Sequence, residues 1–100
     1  MTRPSHTPGP WFFGEESAYG RDIHAGGRWI ASAMGPHSDP FATSEECIAN
    51  ARLIVAAPDM LAVLENISTN LEAGEVSASI LARSVIAINA AIAKAKGVVA

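Results

Sequence analysis

The feature that most constrains the fold of this chain is a helical spacing of apolar residues over its second half. Side chains recur at steps of three and four residues in two segments, 43–73 and 77–96, and this spacing places them on one face of an α-helix. The members are Leu53, Ala57, Met60, Leu64, Ile67 and Leu71, then Leu81, Val85, Ile88, Ile92 and Ala95. Two helices with matching apolar seams predict an antiparallel helical hairpin.

The ends of both helices carry the expected capping residues. Thr43 and Glu46 stand three residues apart before the first apolar run, which is the spacing of a capping box. Gly74 suits the exit of the first helix, and Ser77 or Ser79 suits the entry of the second. Gly97 follows the second helix, so we expect that helix to end at residue 96.

Pro58 lies inside the first helical segment. A proline there removes one backbone hydrogen bond and costs about 3 kcal/mol or more unless the chain bends or restarts. The sequence therefore predicts a helix at 43–73 that is kinked or broken after Ala57, with Asp59 near a new positive helix end.

The first third of the chain has the pattern of a small antiparallel sheet at 11–34. Gly26 and Gly27 separate two strand-like runs and accept the positive φ angles of a tight hairpin turn. Alternation places Ile30 and Met34 on one face of the later strand and Trp29 on the other. In the earlier strand the same rule groups Ile23 and Ala25 with Tyr19. Alternation does not determine which residues of the two strands pair with each other.

Two irregular segments flank this sheet. Prolines hold residues 1–10 as an extended arm, because proline fixes φ and biases the preceding residue toward extended backbone. Small polar residues and two prolines predict a loop at 35–42. The predicted fold is α+β: an N-terminal antiparallel sheet packed on two or three C-terminal helices, in one domain of residues 1–100.

The composition predicts self-association and argues against several partners. Hydrophobic residues make up 49% of the 100-residue chain and charged residues 17%. A domain this small has little interior for that apolar content, so we expect a homo-oligomer, a dimer or higher. The net charge is −3 with seven scattered basic residues, which predicts no binding to nucleic acid. No apolar run approaches the roughly 20 residues needed to span a bilayer, so we expect no membrane partner. One cysteine and an N-terminus without an apolar signal core predict a cytoplasmic protein.

No arrangement of reactive residues in the sequence is typical of an enzyme. His6, His24 and His37 have no Cys or acidic neighbour at a metal-ligand spacing, so we expect no metal site and no cofactor. Cys47 is expected to be a packed core residue, since Glu45 and Glu46 beside it oppose thiolate formation. We therefore predict no catalytic residues.

Aromatic and basic residues are the candidates for ligand binding. Trp11 and Trp29 either both anchor the core, or one of them stacks on a planar ligand whose phosphates pair with Arg21 or Arg28. On the first helix, Asn50 and Arg52 are either solvated or capping residues, or they form the polar lining of a cleft between helix and sheet.

Three sequence blocks resemble those of a widespread family of small phage and prophage proteins. They are HTPGPW at 6–11, a short hairpin containing Ile23, Gly27, Ile30 and Ala31, and ANARLIVAAPDMLAVLE at 49–65, and the AIAKAKG ending at 91–97 is similar too. Family members typically read EANARLIAAAPDLLEAL in the third block. This chain departs there with Cys47 and Ile48 in place of the usual acidic residue and with Met60 in place of Leu. The resemblance supports the fold and implies no activity.

HTPGPW has a structural interpretation that requires no function. The Pro-Gly-Pro turn fixes the entry of Trp11 at low entropic cost. The alanines of ANARLIVAAP allow the helix to approach the sheet closely enough to pack that ring.

The predicted architecture is also similar to that of phage sponge proteins, which oligomerise and sequester nucleotide immune signals. That similarity implies a non-enzymatic protein that captures a cyclic ADP-ribose derivative or a cyclic dinucleotide in the cytosol of the bacterial host. Its ligand-binding residues would be drawn from Trp11, Arg21, Arg28, Trp29, Asn50 and Arg52. The alternatives are a protein-binding module that inhibits or recruits a host protein, and an accessory phage protein without a small ligand.

Overall fold

The computed structural model describes residues 6–17, 20–35 and 43–98, with the backbone alone at 15–17. Its elements are β1 (Phe12–Ser17), β2 (Gly20–Ala25), β3 (Arg28–Met34), α1 (Ser44–Glu72) and α2 (Ala78–Lys96). An antiparallel three-stranded sheet followed by two helices confirms the predicted α+β class. Tyr19, His37 and residues 36–42 of the predicted loop lie outside the described residues.

The sheet is a meander with strand order β1-β2-β3. Gly26 and Gly27 form the β2–β3 turn with φ angles of 57° and 82°. Two consecutive positive φ angles match the hairpin turn that their sequence predicted. Ile23 and Ala25 point from β2 into the interior and are 0% and 4% exposed.

A β-bulge in β3 changes which of its residues face solvent. Ile23 pairs with Ala31 and His24 pairs with Trp29, so Ile30 is an extra residue between the two pairs. The bulge returns Met34 to the same outer face as Trp29, whereas Ile30 packs against the core. The prediction that Ile30 and Met34 share a face opposite Trp29 is therefore wrong, because simple alternation takes no account of a bulge.

Both helices begin and end with the expected chemistry. The backbone N–H of Glu46 donates to the Thr43 hydroxyl at 3.1 Å, and that of Ile80 donates to the Ser77 hydroxyl at 3.3 Å. Gly97 caps α2 in the left-handed conformation with φ of 72°. These local contacts fix the lengths of α1 and α2 at 29 and 19 residues.

The α1 helix continues through Pro58 as one element. The N-terminal arm packs at this point, since a Cβ placed on Gly9 would lie 3.1 Å from the Pro58 Cβ. The glycine of HTPGPW and the proline of the AAPDML stretch are thus neighbours in space. Their contact gives the two sequence blocks a shared structural role.

The core lies between the sheet and the first part of α1. It is formed by small and medium side chains, Ile23, Ala33, Cys47, Ala51 and Val55. The Cys47 thiol is 2% exposed and donates to the Ala33 carbonyl oxygen at 3.3 Å, as expected of a packed residue. No α1 residue beyond Ala56 is fully buried, so the sheet covers only the first half of this helix.

The two helices form an antiparallel hairpin. Near the sheet, the Lys94 ammonium on α2 donates to the Asp59 carboxylate on α1 at 2.6 Å. The Arg52 side chain lies directly against Gly97. At the other end the connection between the helices spans only residues 73–77. The hairpin extends past the sheet, and the molecule measures 50 × 31 × 20 Å.

Candidate functional site

Trp11 belongs to the interior side of the sheet. Its ring is partly buried against the core, and its indole N–H donates to the Thr7 carbonyl oxygen at 3.0 Å. The His6 ring meets it edge to face, with centroids 6.4 Å apart. The arm therefore closes over the indole, which fits the anchoring role among the two roles considered for Trp11.

Trp29 lies on the opposite, outer face of the sheet. It is 65% exposed, and its indole N–H donates to the Ala31 carbonyl oxygen at 2.9 Å. This bond holds the ring along β3 and uses its only polar group, while most of the ring surface stays in contact with solvent.

Three aromatic residues on neighbouring strands project from this outer face. Phe12 of β1 pairs with His24 of β2, and His24 pairs with Trp29 of β3. Directly paired residues project from the same face with Cβ atoms about 5 Å apart. Phe12 is 60% exposed, so both ends of this aromatic row are accessible. The sequence interpretation missed Phe12 and His24, although the period-two rule would have placed each beside Trp29 once the bulge was known.

The two candidate arginines of the sheet differ in position. Arg28 is exposed at the turn end of β3, adjacent to Trp29. Arg21 lies toward the other end of β2, where it pairs with Ala33 and its guanidinium donates to the Gly14 carbonyl oxygen at 3.5 Å. Arg28 pairs with the inward-facing Ala25, so its side chain starts on the face opposite the aromatic row, at the exposed turn end of the strand.

The two helical candidates lie away from that row. Asn50 is an exposed residue of α1, and Arg52 is half-buried beside the end of α2 at Gly97. The exposure of Asn50 fits the solvated role considered for it, whereas contact with the end of α2 was not among the roles considered for Arg52. The structure therefore distributes the six predicted residues over the core, the outer sheet face and α1.

An open groove of about 490 Å³ lies between α1 and α2. Its polar lining comes from Asn66, Asn70, Glu75, Arg83 and Ser84, and apolar side chains of both helices form the rest. None of the six predicted ligand residues lines it. In this groove the charge of Glu75 opposes that of Arg83, so its lining does not favour an anion.

A second exposed surface follows the helical hairpin. About half of the predicted apolar seam faces solvent, with exposures between 43% and 64%. We call this set the open face: Leu53, Leu64 and Leu71 of α1 with Leu81, Val85 and Ile92 of α2. The helices pack on each other through the neighbouring stripe that includes Val63, Ile67 and Ile88.

Both helices are also long and apolar enough to cross a membrane by length and composition alone. Core helices of soluble proteins pass the same test, so two such helices are weak evidence for a membrane protein. Here, however, only 22% and 11% of the two windows are buried within the chain. Most of the apolar surface of the hairpin is therefore not covered by the rest of the chain.

Within residues 6–17, 20–35 and 43–98, no group of three or more His, Cys, Asp or Glu side chains could hold a metal ion. The described part of the chain also presents the exposed outer sheet face, the groove between α1 and α2, and the open face.

The family model described as Salmonella phage P22 protein Y8K6 matches residues 1–98 of the chain. The chain belongs to this family. Membership in the Y8K6 family confirms the expectation of a small phage protein, and it carries no ligand or activity with it. No curated protein matches the chain, and no solved structure matches it.

Proposed function

We propose that this Y8K6 family member is a non-enzymatic phage binding protein that sequesters a small nucleotide-type immune signal. The ligand class is a cyclic ADP-ribose derivative or a cyclic dinucleotide, captured in the cytoplasm of the bacterial host to counter its defence. One observation carries the proposal: the row of Phe12, His24 and Trp29 on the outer face of the sheet, with Phe12 and Trp29 exposed at its two ends.

The chemistry of this row suits a nucleotide. A nucleobase stacks on aromatic rings with little dependence on its sequence identity, and each stacked base contributes about 1–3 kcal/mol. The Arg28 guanidinium can donate two parallel hydrogen bonds to a phosphate. The hydrogen bond from the Trp29 indole to Ala31 restricts this side chain, so less side-chain freedom is lost on stacking.

The site residues are assigned different roles in this proposal. Trp29 contacts the ligand, and Phe12 and His24 extend the platform. Arg28 starts on the other face of β3 and would reach a phosphate of the ligand around the turn end of the strand. Trp11 packs on the inner face of the sheet, and Arg52 positions the end of α2. Arg21 and Asn50 take part only if a second subunit brings them toward the ligand.

Titration calorimetry of the purified chain with cyclic dinucleotides and ADP-ribose species tests the proposal. Trp29→Ala should weaken binding about 5- to 150-fold, the equivalent of one lost stacking contact. Arg28→Ala should weaken it about tenfold or more. Met34→Ala is the matched control, since Met34 is exposed on the same face outside the aromatic row, and it should bind as the unchanged chain does.

A broader search uses extracts of bacteria whose nucleotide defence has been activated. The chain is incubated with the extract, recovered and denatured, and the released small molecules are identified by mass spectrometry. Capture of a nucleotide by the unchanged chain and its loss with Trp29→Ala would support the proposal. Release of no nucleotide, together with no heat from the pure compounds, would contradict it.

The second candidate function is a protein-binding module that inhibits or recruits a host protein. The exposed leucines, valine and isoleucine of the open face favour it, because such a stripe is the usual surface for helix recognition. The substitutions that separate the two functions are Trp29→Ala on the sheet and Leu64→Glu on the open face. A host protein lost with Leu64→Glu and retained with Trp29→Ala would favour this module.

A further inference from the structure

We propose that the open face binds the open face of a second copy of this chain, so that two helical hairpins complete a four-helix bundle. The inference rests on the geometry of α1 and α2 and holds whether or not the chain binds a nucleotide.

The six residues of the open face lie on one side of the hairpin. Leu64 and Leu71 are seven residues apart on α1, as are Val85 and Ile92 on α2, so each pair repeats at the coiled-coil spacing. Viewed along the axis of each helix, the open-face residues lie roughly 80–90° around the helix from the residues that face the other helix. On both helices this rotation has the sense in which residue numbers increase. Because the helices are antiparallel, equal rotations of this kind bring both stripes to the same side.

The sheet does not block this side. Its contacts with α1 are made by Cys47, Ala51 and Val55, which lie on a different flank of the helix from Leu53 and Leu64. The open face therefore runs along the whole hairpin, from Leu53 near the sheet to Leu71 near the connection. Another hairpin can lie against it over its full length.

The size of the exposed surface matches what a dimer needs. The chain exposes 7084 Å², whereas a folded protein of 10.4 kDa exposes about 5,400 Å². The excess of roughly 1,700 Å² belongs to the chain as a whole, and it leaves room for the ~800 Å² that each partner contributes to a standard interface. The radius of gyration is 16.1 Å, against about 13 Å for a compact chain of this length.

The charges along the hairpin favour an antiparallel arrangement of the two copies. Toward the connection they are mostly acidic, with Glu65, Glu72 and Glu75 against Arg83. Toward the sheet, over the length that α2 covers, they are mostly basic, with Arg52, Lys94 and Lys96 against Asp59. An antiparallel pair places the acidic end of each hairpin beside the basic end of the other.

A second copy suits this surface better than a lipid bilayer does. Arg52 and Asp59 lie within the apolar part of α1, and Arg83 lies within α2. Each would carry its charge into hydrocarbon if the helices crossed a membrane, at considerable cost. Against a second copy the same groups remain at the edges of the bundle in water.

A mixing experiment on the full chain tests the proposal. Leu64 is close to the midpoint of the open face, so a charge placed there meets the equivalent region of the second copy. Leu64→Glu and Leu64→Lys should each sediment as a monomer, and an equimolar mixture of the two should sediment as a dimer. Ala90→Glu is the matched control: Ala90 is exposed and lies roughly 140° around α2 from Val85, so this variant should remain a dimer.

Sedimentation of the unchanged chain tests the proposal even if a variant fails to fold. It should sediment as a dimer whose dissociation constant rises with salt concentration, because the complementary ends are screened. Monomeric sedimentation of the unchanged chain at micromolar concentration would overturn the proposal. Co-flotation of the chain with lipid vesicles, or a dimer that Ala90→Glu disrupts and Leu64→Glu does not, would overturn it as well.

Discussion

Gly20 shows how strictly a single residue can be constrained in this sheet. It begins β2 with φ of 138°, a backbone conformation that other residues rarely adopt. A Cβ at this position would also collide with the carbonyl oxygen of Ala33 and lie 2.8 Å from the Gly35 nitrogen. Gly26 at the hairpin turn has a positive φ as well, but nothing lies within 4 Å of a Cβ placed there.

Gly20→Ala should therefore destabilise the chain far more than Gly26→Ala. We expect a loss of about 3–5 kcal/mol for the first, from strain and collision together, and about 1–2 kcal/mol for the second, from the left-handed conformation alone. Urea unfolding at one fixed protein concentration measures both. Equal losses would show that space around Gly20 does not limit the fold.

The two tryptophans illustrate what single residues reveal in sequence and what they do not. Both belong to short apolar runs, so the sequence left open which ring is buried. The structure separates them through their partners: Trp11 donates to Thr7 of the arm, and Trp29 donates to Ala31 of its own strand. A side chain next to a turn can face either way, and the pairing of Trp29 with the outward-facing His24 sets its direction.

At the scale of elements, the alanines of α1 set its distance from the sheet. Ala51 and Ala56 are 0% exposed, and Ala51 belongs to the core cluster with Ile23 and Ala33. Cores are packed nearly as densely as crystals, so added atoms must displace the sheet or the helix. This close approach is the feature that the Ala-rich sequence predicted.

Ala51→Leu should cost about 1–3 kcal/mol of unfolding free energy through overpacking. Ala49→Leu adds the same side chain two residues earlier at an exposed position and should change stability by at most about 0.5 kcal/mol. Chemical denaturation of both variants, followed by far-ultraviolet circular dichroism, compares them. A stable Ala51→Leu variant would mean that the helix and sheet are more loosely packed than described.

The elements were predictable because their signals are local. Thr43, Ser77 and Gly97 act on backbone groups within a few residues, and the structure confirms each of them as a cap. The stripe through which the helices meet was harder to read, since Leu64 and Val85 have the same spacing as Ile67 and Ile88. Periodicity identifies an apolar face, but it does not say which part of that face meets a neighbour within the same chain.

At the scale of the whole molecule, the chain has a small core and a large apolar surface. The core is built from Ile23, Val55 and smaller side chains, whereas about half of the large aliphatic residues of the helices are exposed. The high apolar content predicted that some apolar surface would remain outside the core and be free for self-association. Its division between an aromatic sheet face and an aliphatic helical face required the three-dimensional arrangement, because residues from five elements contribute to it.

The candidate site was predicted in part for the same reason. Trp29 and Arg28 are adjacent in sequence and could be named together. Phe12 and His24 join them only through strand register, and the sequence does not give the register directly. Asn50 and Arg52 were grouped with them from a cleft expected between helix and sheet, while Arg52 instead packs at Gly97.

The central claim is that the exposed apolar face of the helical hairpin is covered by a second copy of the chain. Multi-angle light scattering of the unchanged protein, eluting from a size-exclusion column in dilute buffer, measures this most directly. The account predicts a molar mass of twice the 10.4 kDa of one chain. A single peak at 10.4 kDa that persists as the loaded concentration is raised would contradict it.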